Sequence, residues 1–211
     1  MYKEIFDDVK RFLADNDGEA TKIAHFPFRK RSEHTWRVFQ WAKRLIDGND
    51  SGVAIDTDSV LIAALFHDVG YALSLDGPQH ADNSAVVFNE YASKKNMDSK
   101  KQDFISYLIS NHSKKSLLNI EGTPLELVIL MEADMLDETG ALSIIWDCMM
   151  EGGQAEQSFA NTYKHIEAYS YKALENNPMQ TTKAKEFWAN KQNLMREFLK
   201  QLSFDLAINE N

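Results

Sequence analysis

One cysteine and four prolines in 211 residues leave little to staple or interrupt this chain. Cys148 alone cannot build a disulfide framework, which fits a reducing compartment. Within Ile144–Met150 it reads as a core thiol. Long apolar runs are missing too: the longest is seven residues, Val60 to Phe66, where a bilayer crossing takes roughly 20. No membrane helix is expected. The first residues, Met1 to Asp8, mix acids into the opening turns and lack the apolar stretch of an export signal, so the expected location is the cytoplasm. Basic residues are scarce, 23 Lys and Arg against 32 acids and a formal charge of −9, which excludes the basic footprint that long nucleic acid requires. A small anionic ligand needs only local cations. Arg29-Lys30-Arg31 and Lys114-Lys115 are such clusters.

What is present is an ordinary globular balance, 44% hydrophobic and 26% charged, without low complexity or internal repeats, and long enough for one well-cored domain. The chain is organised around Val60 to Phe66. All its faces are apolar, the pattern of a buried helix, and it ends in His67-Asp68. Burying an imidazole beside a carboxylate is costly unless a hydrogen-bonded network or a metal ion compensates both.

Apolar residues at helical spacing predict a helix over about residues 2 to 14 and a second from about Ser32 to Asp47, with His34 at the head of its inward stripe. Asp56-Thr57-Asp58-Ser59 supplies N-cap candidates for the buried helix, and Gly70 stands where it should stop, which puts His67 and Asp68 in its last turn. After a loop at Asp76-Gly77-Pro78, a helix runs from His80 to about Ser93, its first turn built from small residues that permit close packing. His112 continues the apolar face of a helix that begins near Ser99, and Thr123-Pro124 opens a helix over Leu125 to Leu136. There Asp134 falls on the stripe of Leu127 and Leu130, while Glu132 is expected to point elsewhere. Helices from Gly140 to about Met150, Ala155 to Glu175 and Thr181 to Leu202 complete the chain. No strand pattern appears, so the expected fold is an all-α, single-domain, multi-helix bundle.

Three helices thus bring His34, the pair His67-Asp68 and Asp134 to an apolar interior. One divalent cation would satisfy all four. Two imidazoles and two carboxylates suit Mn, Fe, Co, Ni or Zn, and the identity of the ion stays open. One ion per chain is favoured over two. Four protein groups leave coordination positions for water and a substrate oxygen, an arrangement suited to catalysis.

These residues, in this order, resemble the H…HD…D signature of the HD-domain metal-dependent phosphohydrolases. Leu65-Phe66-His67-Asp68-Val69-Gly70, His80-Ala81-Asp82-Asn83-Ser84-Ala85, Ile109-Ser110-Asn111-His112-Ser113 and Glu132-Ala133-Asp134-Met135-Leu136-Asp137-Glu138-Thr139-Gly140-Ala141 are similar to blocks of a bacterial stand-alone subgroup. The resemblance spans about residues 25 to 202, with an HD-type core at about 25 to 150 and C-terminal helices at about 155 to 202 packing on it. It implies that His34, His67, Asp68 and Asp134 are the metal ligands. It also implies hydrolysis of a phosphoester or phosphoanhydride, with a nucleotide as the most frequent substrate. Two positions depart from the subgroup: Met135 stands where an Arg is usual, and Glu132 where an Asp is usual.

Around that set, His80 and His112 are candidates for leaving-group protonation or for a second metal. Arg37 lies one turn after His34, and with Arg29, Lys114 and Lys115 it is a candidate for substrate phosphate. Lys30 and Arg31 read as a solvated face, His25 and His165 as surface or packing residues, and Trp36, Phe39, Phe187 and Trp188 as core. Two other functions stay in view. With His80 and His112 added, the set looks like the six ligands of dinuclear iron oxygenases on the same scaffold, with Asp68 bridging. A non-catalytic nucleotide-binding module would be signalled by loss of a ligand, and none of the four is lost. Whether the chain forms a homodimer is left open.

Overall fold

The computed structural model describes residues 1–16, 30–73 and 79–208, so the turns expected around Pro27 and Asp76-Gly77-Pro78, with Arg29 and His25, lie outside the described residues. Among the described residues there are nine numbered helices and no strand, and the all-α bundle holds. The chain divides into two compact units, Met1–Asp134 and Met135–Asn211.

The first unit contains α1 (Tyr2–Asn16), α2 (Arg31–Asp47), α3 (Thr57–Phe66), α4 (His80–Lys94), α5 (Ser99–Asn111) and most of α6 (Leu125–Leu136). Helix α3 is its axis. Every side chain from Ser59 to Phe66 is buried, and α1, α2 and α5 pack around it. Asp56 caps its start, accepting from the Ser59 amide at 3.1 Å.

The end of α3 differs from the expectation. The α-helix stops at Phe66, His67 is the C-cap, and Asp68 leads into a 3-10 turn over Val69–Ala72. Gly70 sits inside that turn, where it serves close packing: a Cβ there would lie 2.2 Å from the His80 carbonyl oxygen and 2.5 Å from the Ser84 amide nitrogen. The Gly70 amide donates to Ser84 Oγ at 2.8 Å, locking the turn against the small-residue start of α4. The first turn of α4 therefore packs closely, as its composition implies, and His80 is carried to Asp68.

The second unit contains α7 (Ala141–Glu151), α8 (Phe159–Ile166) and α9 (Thr182–Asp205). The single helix expected over 155 to 175 is instead α8, a π-helical turn over Glu167–Tyr171 and a short continuation, Lys172–Leu174. Ser158 fixes the later start, accepting from the Asn161 amide at 3.0 Å. Trp188 is core as expected, its Nε1 donating to the Leu174 and Asn176 carbonyls.

Helix α7 overturns the reading of Cys148, which is exposed. Its buried residues are Ser143 and Asp147, while Leu142, Ile145 and Met149 face solvent. The cause is polar: His165 reaches Asp147 Oδ1 at 3.6 Å from Nε2 and Glu151 Oε1 at 3.0 Å from Nδ1. Those acids fix the inner face of α7, and Cys148, one residue on, turns outward. His165 is thus a partly covered residue set between two carboxylates.

Candidate metal centre

The five elements α2, α3 with its 3-10 extension, α4, α5 and α6 each deliver one part of a single buried cluster. His34 stands on the first turn of α2, Arg31 at its first position, and both turn to the same side because they are three residues apart. His112 is the C-cap of α5, and Asp134 lies near the end of α6.

Asp68 is the centre. Its Oδ2 lies 3.3 Å from His34 Nε2 and 3.5 Å from His67 Nε2, and its Oδ1 lies 3.5 Å from His80 Nε2 and 3.4 Å from His112 Nε2. Each carboxylate oxygen therefore faces its own pair of imidazoles. Within each pair the Nε2 atoms are 3.2 Å apart, His34 to His67 and His80 to His112. Asp134 closes the first group, with Oδ1 3.5 Å from His34 Nε2 and 3.8 Å from His67 Nε2. His34, His67 and Asp134 offer ligand atoms within 4.8 Å of one another, as do His67, Asp68 and His112.

Backbone carbonyls set the ring orientations. His67 Nδ1 donates to the Ala64 carbonyl at 2.8 Å and His112 Nδ1 to the Ile109 carbonyl at 2.6 Å. A carbonyl only accepts, so the hydrogen must sit on Nδ1. In the neutral ring, Nε2 then presents a lone pair to the cluster. Burial pushes His67 down to about 4 against the pull of Asp68, which keeps the ring neutral near physiological pH. For Asp68 burial acts in the raising direction, yet His67, His112, His34 and Arg31 together hold the carboxyl well below the usual range. Asp134 behaves likewise: burial raises, and Lys115, then His34 and His67, lower it further than burial lifts it. Both acids are ionised.

Two cations border the carboxylates. Arg31 Nη1 donates to Asp68 Oδ2 at 2.6 Å, with its guanidinium 4.2 Å over the Tyr71 ring, and Tyr71 stacks on His80 at 4.4 Å and 11°. Lys115 Nζ donates to Asp134 Oδ2 at 2.6 Å. The sequence places Arg31 on a solvated face, but it meets Asp68, and its position one turn before His34 is the signal for this. Tyr71 carried no such signal. Lys114 and Lys115, equal candidates in the sequence, separate here: Lys114 is exposed and bonded to Asn111 Oδ1 at 2.8 Å. Arg37 is half-buried one turn beyond His34. Glu132 corrects another expectation, because it is fully buried whereas the Asp134 side chain is 22% exposed. Asp134, the more open of the two, is met by Lys115.

The sequence profile of the HD domain family matches residues 31–139, more than half the chain. No curated protein matches significantly. Solved structures do. A predicted HD superfamily hydrolase from an uncultured Thermotogales bacterium is 22% identical over 97% of this chain and 92% of its own, with a TM-score of 0.63. An HD-superfamily hydrolase from Bacillus thuringiensis is 17% identical over 98% and 99%, also at 0.63. Bacillus subtilis YpgQ, solved in complex with ADP, is 18% identical over 97% and 94%, at 0.65. At these identities the likeness is one of fold.

Proposed function

The chain belongs to the HD domain family, and on that footing we propose that it is a divalent-metal-dependent phosphohydrolase acting on a small phosphoester or phosphoanhydride, foremost a nucleotide. The observation that carries the reading is Asp68, whose two oxygens each face a pair of imidazole Nε2 atoms at 3.3 to 3.5 Å. The donor set fits a metal. Four imidazoles with Nε2 turned inward and ionised carboxylates beside them are costly to bury together without a cation. The sequence favours one ion per chain, but the second imidazole pair on Asp68 Oδ1 argues for two: His34, His67, Asp68 and Asp134 would hold one ion, and Asp68, His80 and His112 a second. The mixed nitrogen and oxygen donors suit Mn, Fe, Co, Ni or Zn. Such an ion, when bound, supplies Lewis acidity toward a phosphoryl oxygen and lowers the pKa of coordinated water.

The protein's own side chains bind and orient. Arg31 offers a planar fork of donors suited to a phosphate, and the Tyr71 ring beneath it limits how far that fork can turn. Lys115 offers a compact second charge from the opposite carboxylate, so the two cations bracket the cluster at Asp68 and Asp134. Both would stabilise charge that grows on phosphoryl oxygens. The ADP held by Bacillus subtilis YpgQ, a protein of the same fold, supports a nucleotide ligand.

The same placement of Asp68 between two imidazole pairs favours one other reading, a dinuclear iron oxygenase. The two separate cleanly. Protein reconstituted with each of Mn, Fe, Co, Ni and Zn is offered a panel of nucleotides while phosphate, pyrophosphate and oxygen are followed. Release of phosphate or pyrophosphate, abolished in Asp134→Ala, is the expected result. Oxygen uptake without phosphate release, or nucleotide binding with no turnover under any ion, would overturn the proposal.

A further inference from the structure

The second unit contains a cavity that the metal cluster does not account for. Its volume is about 370 Å³, within the range of small-ligand pockets, roughly 300 to 1,000 Å³. Tyr163 of α8 and Glu167 and Tyr171 of the π-helical turn form one wall, and α9 forms the other. A π-helical turn is rare and recurs at functional sites. Here both its first and its last residue line the cavity.

The two walls differ in charge. Arg196 and Lys200 stand one helical turn apart on α9 and both line the cavity, with Leu199 buried between them. Arg196 bonds a neutral partner, Asn193 Oδ1 at 2.9 Å, and Lys200 has only a solvated contact to Glu197 at 3.9 Å. On the opposite wall the one acid, Glu167, accepts the Tyr163 hydroxyl at 2.9 Å. That phenol is pushed up by burial and then by Glu167, so it stays neutral. The cavity thus carries net positive charge in a chain of −9. Beside Leu199 its lining is aromatic: Tyr171 and Phe204 both line it, and Phe204 is 71% exposed, a ring surface that a flat ligand would cover.

We propose that this cavity is a binding site for a small aromatic acid, a ring compound carrying one carboxylate, sulfonate or phosphate group. The ring lies against Tyr171 and Phe204, and the acid group meets Arg196 and Lys200. The site takes its residues wholly from the second unit, so the proposal stands independently of the metal chemistry.

The test uses the full chain, metal-loaded, titrated with 8-anilinonaphthalene-1-sulfonate and followed by fluorescence and calorimetry. Saturable binding at one per chain is expected, about tenfold or more weaker for the uncharged analogue N-phenyl-1-naphthylamine and for the double variant Arg196→Glu, Lys200→Glu. Lys200→Gln alone should weaken it less, and thermal melts of both variants should match wild type. Phosphohydrolase turnover should be unchanged in both. Equal binding by wild type and the double variant, binding of several dye molecules per chain, or no binding would each overturn the proposal.

Discussion

His67 donates its Nδ1 hydrogen to the Ala64 carbonyl at 2.8 Å, which leaves its Nε2 lone pair facing His34 Nε2 at 3.2 Å. One residue of the buried helix thereby fixes the tautomer of the imidazole that ends it. The charge state follows from burial, and it makes stability depend on pH. The folded pKa of His67 is about 4 against an ordinary 6.5, so between those values the unfolded chain binds the extra proton more readily. Stability of the metal-free protein should fall as pH drops from 6.5 to 4, by on the order of 3 kcal/mol. Asp68 and Asp134 are shifted down instead, so their contribution is present above the usual carboxylate range and is lost as pH falls below it. Urea unfolding at a series of pH values measures both limbs. His67→Asn should flatten the upper limb and leave the acid limb in place.

Arg31 and Lys115 predict a kinetic separation. Arg31→Ala should reduce kcat/KM by roughly 10- to 100-fold, the scale of one charge-assisted hydrogen bond. Arg31→Lys should recover little, because a point charge does not reproduce a planar fork over Tyr71. Lys115→Ala should show a loss of similar size while metal content is kept. Steady-state rates alongside elemental analysis check both.

Gly70→Ala tests how the 3-10 turn seats α4. The added methyl would have to displace the His80 carbonyl and the Ser84 amide, both backbone groups at 2.2 and 2.5 Å. We expect a loss of roughly 1 to 3 kcal/mol in unfolding free energy. His80 should move from Asp68 Oδ1, lowering metal content even at temperatures where the variant is fully folded. An unchanged melt and unchanged metal content would contradict this account of Gly70.

Much of this was legible in the sequence because its signals are periodic. The all-apolar run before His67 announced a buried helix, and the helical stripes of His34 and His112 put both residues inside. What escaped were relationships that periodicity does not encode. Tyr71 meets Arg31 and His80 only because the chain tightens into a 3-10 turn after Asp68. Helix α7 reads as apolar inside, yet it buries Asp147, which His165, eighteen residues on, meets with Nε2 at 3.6 Å. Glu132 and Asp134 share a helix, and the stripe that points Asp134 inward does not reveal that Glu132 is the more buried of the two.

The central proposal is that Asp68, with an imidazole pair on each oxygen, would serve two metal positions, and the metal-to-protein ratio tests it most directly. Wild-type protein, reconstituted with Mn and freed of loose ion, should hold about two ions per chain. His80→Ala should hold about one, and Asp68→Ala should lose nearly all. A wild-type ratio that stays near one and is unchanged in His80→Ala, or full retention of metal in Asp68→Ala, would contradict it.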